Sequence, residues 1–78
     1  MADVPPADEQ WILDTRRAIG DRVRIQRIHL NLTQERLAEA AGLDRSTIQR
    51  MEYGAESKVS HLLKVAKALR VHVRDLLA

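Results

Sequence analysis

The sequence predicts an all-α domain, and three features of its 78 residues support this prediction. Phe is absent and Trp and Tyr occur once each, so a core must be built from Leu, Ile, Val and Ala, which suits packed helices. Apolar residues recur at helical spacing along most of the chain, whereas the alternating pattern typical of strands is missing. The length suits one domain with a small core, for which oligomerisation would be a natural supplement.

Residues 8–78 are predicted to form the domain, with residues 1–7 as a flexible arm in front of it. The arm contains a Pro-Pro pair and no apolar periodicity. Residues 7–30 hold no further proline and follow a helical pattern, for which Asp8 and Asp14 are alternative N-caps. We therefore expect a long first helix.

The predicted first helix has apolar residues on two sides. One set is expected to pack against the rest of the domain: Ile12, Ile19, Val23 and Leu30. A second set lies on a different side: Trp11, Ala18, Ile25 and Ile28. Either the leader folds back over this second set or the helix is buried more deeply than usual, or the set is a dimer seam around Trp11, Ile25 and Ile28.

Two short helical patterns joined by a turn occupy residues 34–53. Thr33 can cap the first pattern by accepting a hydrogen bond from a free amide. The apolar face of this pattern consists of residues at helical spacing, Leu37, Ala38 and Ala41. Gly42 then stands where the chain must leave the helix with a positive φ.

The second pattern of this pair has one apolar and one polar side. Leu43 is expected to tuck under the turn, and Asp44 to N-cap the second helix. Ile48 and Met51 supply its buried side. Its opposite side carries residues that can donate to base edges and phosphates, Arg45, Ser46, Gln49 and Arg50.

Two further helices are predicted after this pair. Ser57 is expected to cap a fourth helix, whose core face is Val59, Leu62, Leu63, Ala66 and Leu69. A short last helix covers residues 73–78. Leu76 and Leu77 in this helix are either core residues or the rim of a dimer interface.

The paired helical patterns resemble the helix-turn-helix of the Cro and phage-repressor family, also called XRE-like. The matching residues are Leu32, Thr33 and Gln34 at the entry, Ala38 where the helices cross, Gly42 in the turn, Ile48 and Met51 in the core, and Glu52 with Gly54 at the exit. The resemblance continues through residues 62–69 and 74–77 and covers roughly residues 19–77. It implies a compact five-helix, lambda-repressor-like domain with an extended N-terminal helix, whose helix-turn-helix at residues 33–53 binds double-stranded DNA.

The resemblance and the side-chain chemistry together indicate which residues meet DNA. Base contacts are expected from Arg45, Ser46, Gln49 and Arg50. Phosphate contacts are expected from helix starts and a loop, at Thr33, Gln34, Thr47, Ser57 and Lys58. Arg27 stands where the family has an Arg that pairs with the Glu ending the recognition helix, here Glu52, so this pair is expected to be structural.

Two positions depart from the family pattern. Arg70 ends the fourth helix where the family commonly has Gly, and a left-handed conformation there costs a non-Gly residue about 1 kcal/mol. His72 stands where a Ser, Thr or Asp usually caps the last helix. We therefore expect a weak cap and a frayed C-terminus, unless a partner covers the C-terminal leucines.

Several classes of chemistry are not expected. The chain has no Cys, hence no disulfide, thiol nucleophile or thiolate metal site. His29, His61 and His72 fall on separate predicted elements without the spacing of a metal-binding helix, so we expect no metal site. No phosphate-binding glycine loop occurs and no Ser has a plausible base beside it, which indicates neither an enzyme nor a cofactor. No apolar run approaches the roughly 20 residues that span a bilayer, and no secretory signal is apparent, so a cytoplasmic location is expected.

Charge is distributed unevenly along the chain. The net charge is +2. Residues 1–14 hold four acidic residues and no Lys or Arg, and the remainder carries 13 Lys and Arg against 7 Asp and Glu, a net charge of +6. A basic unit suits a polyanion such as DNA, although charged helical surfaces are more often simply solvated.

The sequence thus predicts a sequence-specific, double-stranded DNA-binding transcriptional regulator that is nucleoid-associated when bound. It is expected to act as a repressor, as a homodimer on a palindromic operator, with residues 44–53 in the major groove. Phage-repressor, restriction–modification controller and antitoxin roles all occur in the family, and small size without a sensor domain suits the last two. The alternative is an antitoxin-like or adaptor module that binds a protein partner through the apolar side of the first helix or the C-terminal leucines.

Overall fold

Five α-helices make up the described part of the chain, residues 9–78 of the computed structural model. They are α1 (Glu9–His29), α2 (Gln34–Ala41), α3 (Arg45–Tyr53), α4 (Val59–Leu69) and α5 (Val73–Leu77). No strand occurs among these residues, so the predicted all-α, five-helix architecture is confirmed. None of the five helices combines the length and apolarity that a bilayer crossing requires. The predicted arm of residues 1–7 and the alternative N-cap Asp8 lie outside the described residues.

α1 runs for 21 residues before the chain turns into the helix-turn-helix. Two residues after its end, Asn31 adopts a left-handed conformation (φ 56°), and the Leu32 N–H donates to the Arg27 carbonyl at 3.1 Å. Asn tolerates this conformation better than most non-glycine residues do. Asp14 lies inside the helix, so its predicted role as an N-cap is wrong.

The prediction of which apolar residues of α1 pack against the core is only half correct. Val23 is fully buried and Ile19 packs against the core, but Ile12 and Leu30 are 37% and 43% exposed. All of residues 9–15 are exposed, so the first two turns of α1 contribute little to the core. Leu30 follows the end of the helix, where helical spacing no longer determines which way a side chain points.

α1 and α3 approach each other closely at Gly20. A Cβ atom at this position would lie 2.5 Å from the Met51 carbonyl oxygen and 2.7 Å from that of Glu52. Both oxygens belong to the α3 backbone, which cannot move aside as a flexible side chain could. Gly20 therefore determines how near α1 can lie to α3, a role that the sequence pattern did not reveal.

The turn between α2 and α3 follows the predicted chemistry. The Arg36 N–H donates to the Thr33 hydroxyl at 3.0 Å, which caps α2. Gly42 adopts a left-handed conformation (φ 67°), and the Leu43 N–H donates to the Ala38 carbonyl at 2.9 Å. The Leu43 side chain packs against the core, as predicted.

Asp44 occupies the N-cap position of α3 with an extended backbone, but its side chain makes no capping hydrogen bond. Its main-chain carbonyl accepts from the Thr47 and Ile48 amides instead, at 3.0 and 3.3 Å. The predicted position is therefore correct and the predicted side-chain cap is wrong.

α4 differs from the prediction in its cap and its buried face. Lys58 is the N-cap residue, whereas the Ser57 hydroxyl donates to the Ala55 carbonyl at 3.4 Å, so Ser57 does not cap the helix. Val59 and Leu63 are 70% and 50% exposed, contrary to the prediction. The buried face is Leu62, Val65, Ala66 and Leu69. Both sets satisfy helical spacing, and packing against the other helices selects the second.

The C-terminal turn retains the unusual Arg70, whose φ is 60°. His72 is the N-cap residue of α5, and its backbone N–H donates to the Asp75 carboxylate at 3.1 Å, so Asp75 supplies a capping bond at the start of this helix. Leu76 is fully buried while Leu77 is 47% exposed. Of the alternatives left open for Leu76, core is correct and dimer contact is wrong.

One continuous core holds the helices together. Every helix contributes to it, and its buried apolar members are Val23, Leu37, Ala38, Ala41, Ile48, Met51, Leu62, Val65, Ala66, Leu69 and Leu76. Because α3 contributes Ile48 and Met51 to this core, its orientation is fixed and its opposite side faces outward.

Candidate nucleic-acid interface

The exposed face of α3 is polar, basic and continuous. Ile48, Met51 and Glu52 are buried on one side of the helix. The exposed residues are Arg45, Ser46, Gln49, Arg50 and Tyr53. At about 100° per residue, these five positions span about 140° of the helix circumference. The structure therefore brings all four predicted base-reading residues to one face.

These four side chains are free to bond to a ligand. Within the described residues, Arg45, Ser46, Gln49 and Arg50 make no side-chain hydrogen bond and no ion pair. Free amide, hydroxyl and guanidinium groups in one row are the groups that read base edges in the major groove. The face is therefore chemically suited to direct readout.

Tyr53 extends this face by one further turn. It lies four residues after Gln49 and is 85% exposed. Sequence reasoning assigned Tyr53 no role, although its spacing from Gln49 is the signal that could have found it. A phenol at this place can donate a hydrogen bond to a phosphate oxygen.

A shallow concave surface lies beside the carboxyl half of α3. It brings together Thr47, Arg50, Ser57, Lys58 and His61. Thr47 and Ser57 are half-buried, whereas Arg50 and Lys58 are exposed. Glu56 also lines this surface. Three of the five predicted phosphate contacts thus share one basic surface with Arg50, and His61 joins them without having been predicted.

The remaining two predicted phosphate contacts lie at the start of α2. Thr33 already accepts the capping hydrogen bond from the Arg36 amide. The Gln34 amide group donates to the Glu52 carboxylate at 3.3 Å and is half-buried. The Gln34 side chain is therefore engaged within the chain, while the amino end of α2 retains the positive character of a helix N-terminus.

A network of hydrogen-bonded side chains, which includes a buried ion pair, connects the start of α2 with the end of α3. Arg27 Nε and Nη2 donate to the two carboxylate oxygens of Glu52 at 2.7 and 3.0 Å. Arg27 Nη1 donates to the Leu32 carbonyl at 2.8 Å. The side chains of Arg27 and Glu52 are only 14% and 4% exposed. This bidentate pair, with Gln34 beside it, connects α1, α2 and α3, and positions the exposed face of α3.

The proposed dimer residues on α1 are exposed. Trp11, Ile25 and Ile28 are 57%, 60% and 52% exposed, so the alternative that this side of the helix is more deeply buried is wrong, while the predicted fold-back concerns a leader that begins outside the described residues. Leu77 is 47% exposed on α5. Two separate apolar surfaces are therefore available to a partner.

Acidic and imidazole side chains do not cluster as metal ligands would. No group of three or more His, Cys, Asp or Glu residues that could hold a metal occurs within residues 9–78. His29 lies on α1, His61 on α4 and His72 in the turn before α5.

Comparison with known proteins gives consistent matches. The family model HTH_3, described as Helix-turn-helix, matches residues 23–76. The solved structure of the restriction-modification controller protein C.AhdI from Aeromonas hydrophila is 38% identical, with a TM-score of 0.74 over 77% of this chain and 92% of that one. The hypothetical transcription factor NHTF from Neisseria is 33% identical, with a TM-score of 0.79 over 100% of this chain and 85% of that one.

A third solved structure, the clp gene regulator ClgR from Corynebacterium glutamicum, is 31% identical, with a TM-score of 0.75 over 81% of this chain and 68% of that one. No curated protein is significantly similar to the chain. The matched regulators are not enzymes, and the family binds double-stranded DNA through the helix-turn-helix. The chain therefore belongs to the helix-turn-helix family of XRE-type, DNA-binding transcription regulators.

Proposed function

We propose that the chain is a sequence-specific repressor that binds a palindromic operator as a homodimer, with α3 in the major groove. One observation carries the proposal: α3 buries its apolar side in the core and presents four unbonded polar side chains on the other. A helix has the diameter that the major groove of B-form DNA admits, and each base pair shows a distinct pattern of donors and acceptors there.

We assign base reading to Arg45, Ser46 and Gln49, with Arg50 shared between bases and phosphate. Arg45 and Ser46 lie in the first turn of α3, and Gln49 follows one turn later on the same exposed face. Arg pairs well with guanine and Gln with adenine through two hydrogen bonds each, whereas Ser fits several base edges. Arg45 and Gln49 are therefore the residues assigned the sharpest base preference.

We assign phosphate contact to two surfaces that flank α3. One is the amino end of α2 with Thr33 and Gln34, where helix amides favour an anion. The other is the concave surface with Thr47, Ser57 and Lys58. Contacts on both sides of the recognition helix would fix its depth and direction in the groove.

Two considerations support dimeric binding and repression: the symmetry of a palindromic operator, and the similarity of the chain to a known regulator. A symmetric dimer matches a palindromic site and doubles the number of bases read. A domain that sits on a promoter blocks it, so repression needs no further partner. C.AhdI, which is 38% identical, is a restriction-modification controller, and we favour that kind of role over the phage-repressor and antitoxin roles.

Selection of duplexes from fragments of the source genome, at two salt concentrations, tests this proposal. We expect a palindromic consensus, and binding that falls steeply with salt. If Arg50 and Lys58 of both copies neutralise phosphates, four contacts give a slope of log affinity against log salt of about −3 to −4. No enrichment over random fragments would contradict the proposal and favour a protein-interaction module that uses the exposed apolar residues of α1.

A further inference from the structure

An apolar stripe runs along the outer side of α1. We call it the α1 stripe, and it consists of Trp11, Ala18, Ile25 and Ile28. Its members are spaced by seven, seven and three residues, the spacing by which one helix packs along another in a coiled coil. Trp11, Ile25 and Ile28 are each more than half exposed. The stripe lies away from Gly20 and Val23, which are the buried residues of α1.

A row of alternating charges accompanies this stripe. We call it the α1 charge row, and it consists of Asp14, Arg17, Asp21 and Arg24, spaced by three, four and three residues. All four side chains are exposed. No two of them form an ion pair within the chain, and among the described residues only Asp14 has a side-chain bond, from the Gln10 amide at 2.9 Å. The row is therefore available to a partner.

We propose that the α1 stripe and the α1 charge row bind a second copy of this chain, with the two α1 helices antiparallel. The charge row has the order acidic, basic, acidic, basic. Read in the opposite direction it is basic, acidic, basic, acidic, so each charge of one copy meets the opposite charge of the other. Asp14 faces Arg24 of the second copy, and Arg17 faces its Asp21.

The same alignment also brings the α1 stripes of the two copies together. When the charges pair in this way, facing positions have numbers that sum to 38, so Trp11 comes within one position of Ile28 of the second copy, and the small Ala18 lies one position from the centre at residue 19, where the helices can approach closely. Because the arrangement is two-fold symmetric, every contact occurs twice. A parallel arrangement would instead place like charges side by side, with Asp14 beside Asp14 and Arg17 beside Arg17.

The symmetry also suits DNA binding. The end of α3 lies against α1 on the side of the charge row, since a Cβ atom on Gly54, the residue that follows α3, would lie 3.1 Å from the Arg17 Cα. α5 touches the opposite flank, where Arg22 Nη1 donates to the Leu76 carbonyl at 3.4 Å. A two-fold axis perpendicular to a pair of antiparallel helices leaves the same flank of both copies on one side. Both α3 helices therefore lie on one side of the dimer.

This inference rests on the proposed dimer and names its surface, so its test is done without DNA. Sedimentation equilibrium and the emission of Trp11, the only Trp, measure self-association. We expect Trp11 emission to shift to shorter wavelength as the concentration rises. Arg17→Asp and Asp21→Arg should each weaken self-association at least tenfold, because each places like charges together at two symmetric contacts.

Mixing the two variants separates contacts between copies from contacts within one helix. The Arg17→Asp variant is acidic at both positions 17 and 21, and the Asp21→Arg variant is basic at both. In a heterodimer every acidic residue would then meet a basic one, so an equimolar mixture should form a heterodimer about as tight as the original dimer. A mixture of Lys67→Asp and Glu39→Arg is the matched control, because these exposed residues lie outside α1 and change the net charges equally. The control variants should each dimerise normally.

The pair Arg24→Asp and Asp14→Arg repeats this experiment at the other contact, should a variant at the first fail to fold. Unchanged dimers of the single variants, no heterodimer in the mixture, or a chain that stays monomeric at all concentrations would overturn the inference. Loss of self-association in Leu77→Asp alone would assign the dimer to α5 instead. None of these results bears on DNA reading by α3, which the duplex selection measures independently.

Discussion

The pair formed by Arg27 and Glu52 is the interaction whose removal should most damage the fold. Arg27→Ala takes away two hydrogen bonds to the Glu52 carboxylate and a third to the Leu32 carbonyl. The Glu52 side chain is 4% exposed, so water cannot replace the lost donors. Within the described residues, Gln34 would remain as the one side chain bonded to that carboxylate, at 3.3 Å.

The size of the effect follows from this burial. Breaking a buried ion pair by removing one partner costs about 3–5 kcal/mol, because the other charge stays buried and uncompensated. A domain of 78 residues has a free energy of unfolding of about 4–12 kcal/mol, so the loss is a large share of it. At about 4–8 °C per kcal/mol, the midpoint of thermal unfolding should fall by at least about 12 °C.

Urea and thermal unfolding followed by circular dichroism measure this loss. Arg74→Ala is the matched control, because Arg74 is exposed and its side chain has no bond within the described residues, and it should change stability by less than about 0.5 kcal/mol. The double variant Arg27→Met with Glu52→Leu should regain part of the stability, since it leaves no unpaired charge. An Arg27→Ala chain as stable as the original would show that the ion pair with Glu52 does not stabilise the fold.

Three further predictions concern a helix contact, the helix caps and a left-handed residue, and the same unfolding measurements check them. Gly20→Ala should destabilise the domain by about 1–3 kcal/mol through its clash with α3, whereas an unclashed helical position would gain up to about 1 kcal/mol. Thr33→Ala should cost about 1 kcal/mol and Asp44→Ala clearly less, since only Thr33 makes a capping bond; equal losses would contradict this. Arg70→Gly should stabilise by about 1 kcal/mol by relieving a left-handed residue, and a loss would show that Arg70 is not strained.

The helix-turn-helix was predictable because its signals are local. A hydroxyl cap at Thr33, a left-handed Gly42 and an apolar Leu43 each act on neighbours a few residues away. Bonds of this kind join residues that are close in the chain, so the sequence signals them directly. The exposed face of α3 follows from the same source, because two buried residues, Ile48 and Met51, fix which side points outward.

Features that depend on contacts between residues far apart in the chain were predicted less well. Two helical sets were possible on α4, and only contact with the other helices buries Val65 and exposes Val59. Gly20 was overlooked because its importance comes from the backbone of α3, more than 30 positions later in the chain. Burial of Leu76 likewise depends on how α5 docks, which no periodicity within five residues can specify.

The sequence predicted that the candidate base-reading residues share one face, but not the hydrogen bonds around them. The four base-reading candidates share one exposed face, as their spacing requires. The hydrogen bond from Gln34 to Glu52 was not foreseen, because it joins the starts and ends of different helices. A Gln34 side chain bonded in this way supports the ion pair, so in our proposal the main-chain amides at the start of α2, rather than the Gln34 side-chain amide, are the groups that contact a phosphate.

The base preference of Arg45→Ala and Gln49→Ala is the sharpest test of whether α3 reads bases. Binding of each variant to every single-base variant of the selected duplex would be compared with the original chain. Each substitution should remove about 1–3 kcal/mol of discrimination at one or two base pairs and leave the other positions unchanged. Lys58→Ala is the control and should weaken all sequences alike. A uniform loss from Arg45→Ala and Gln49→Ala would show that the exposed face of α3 does not read bases.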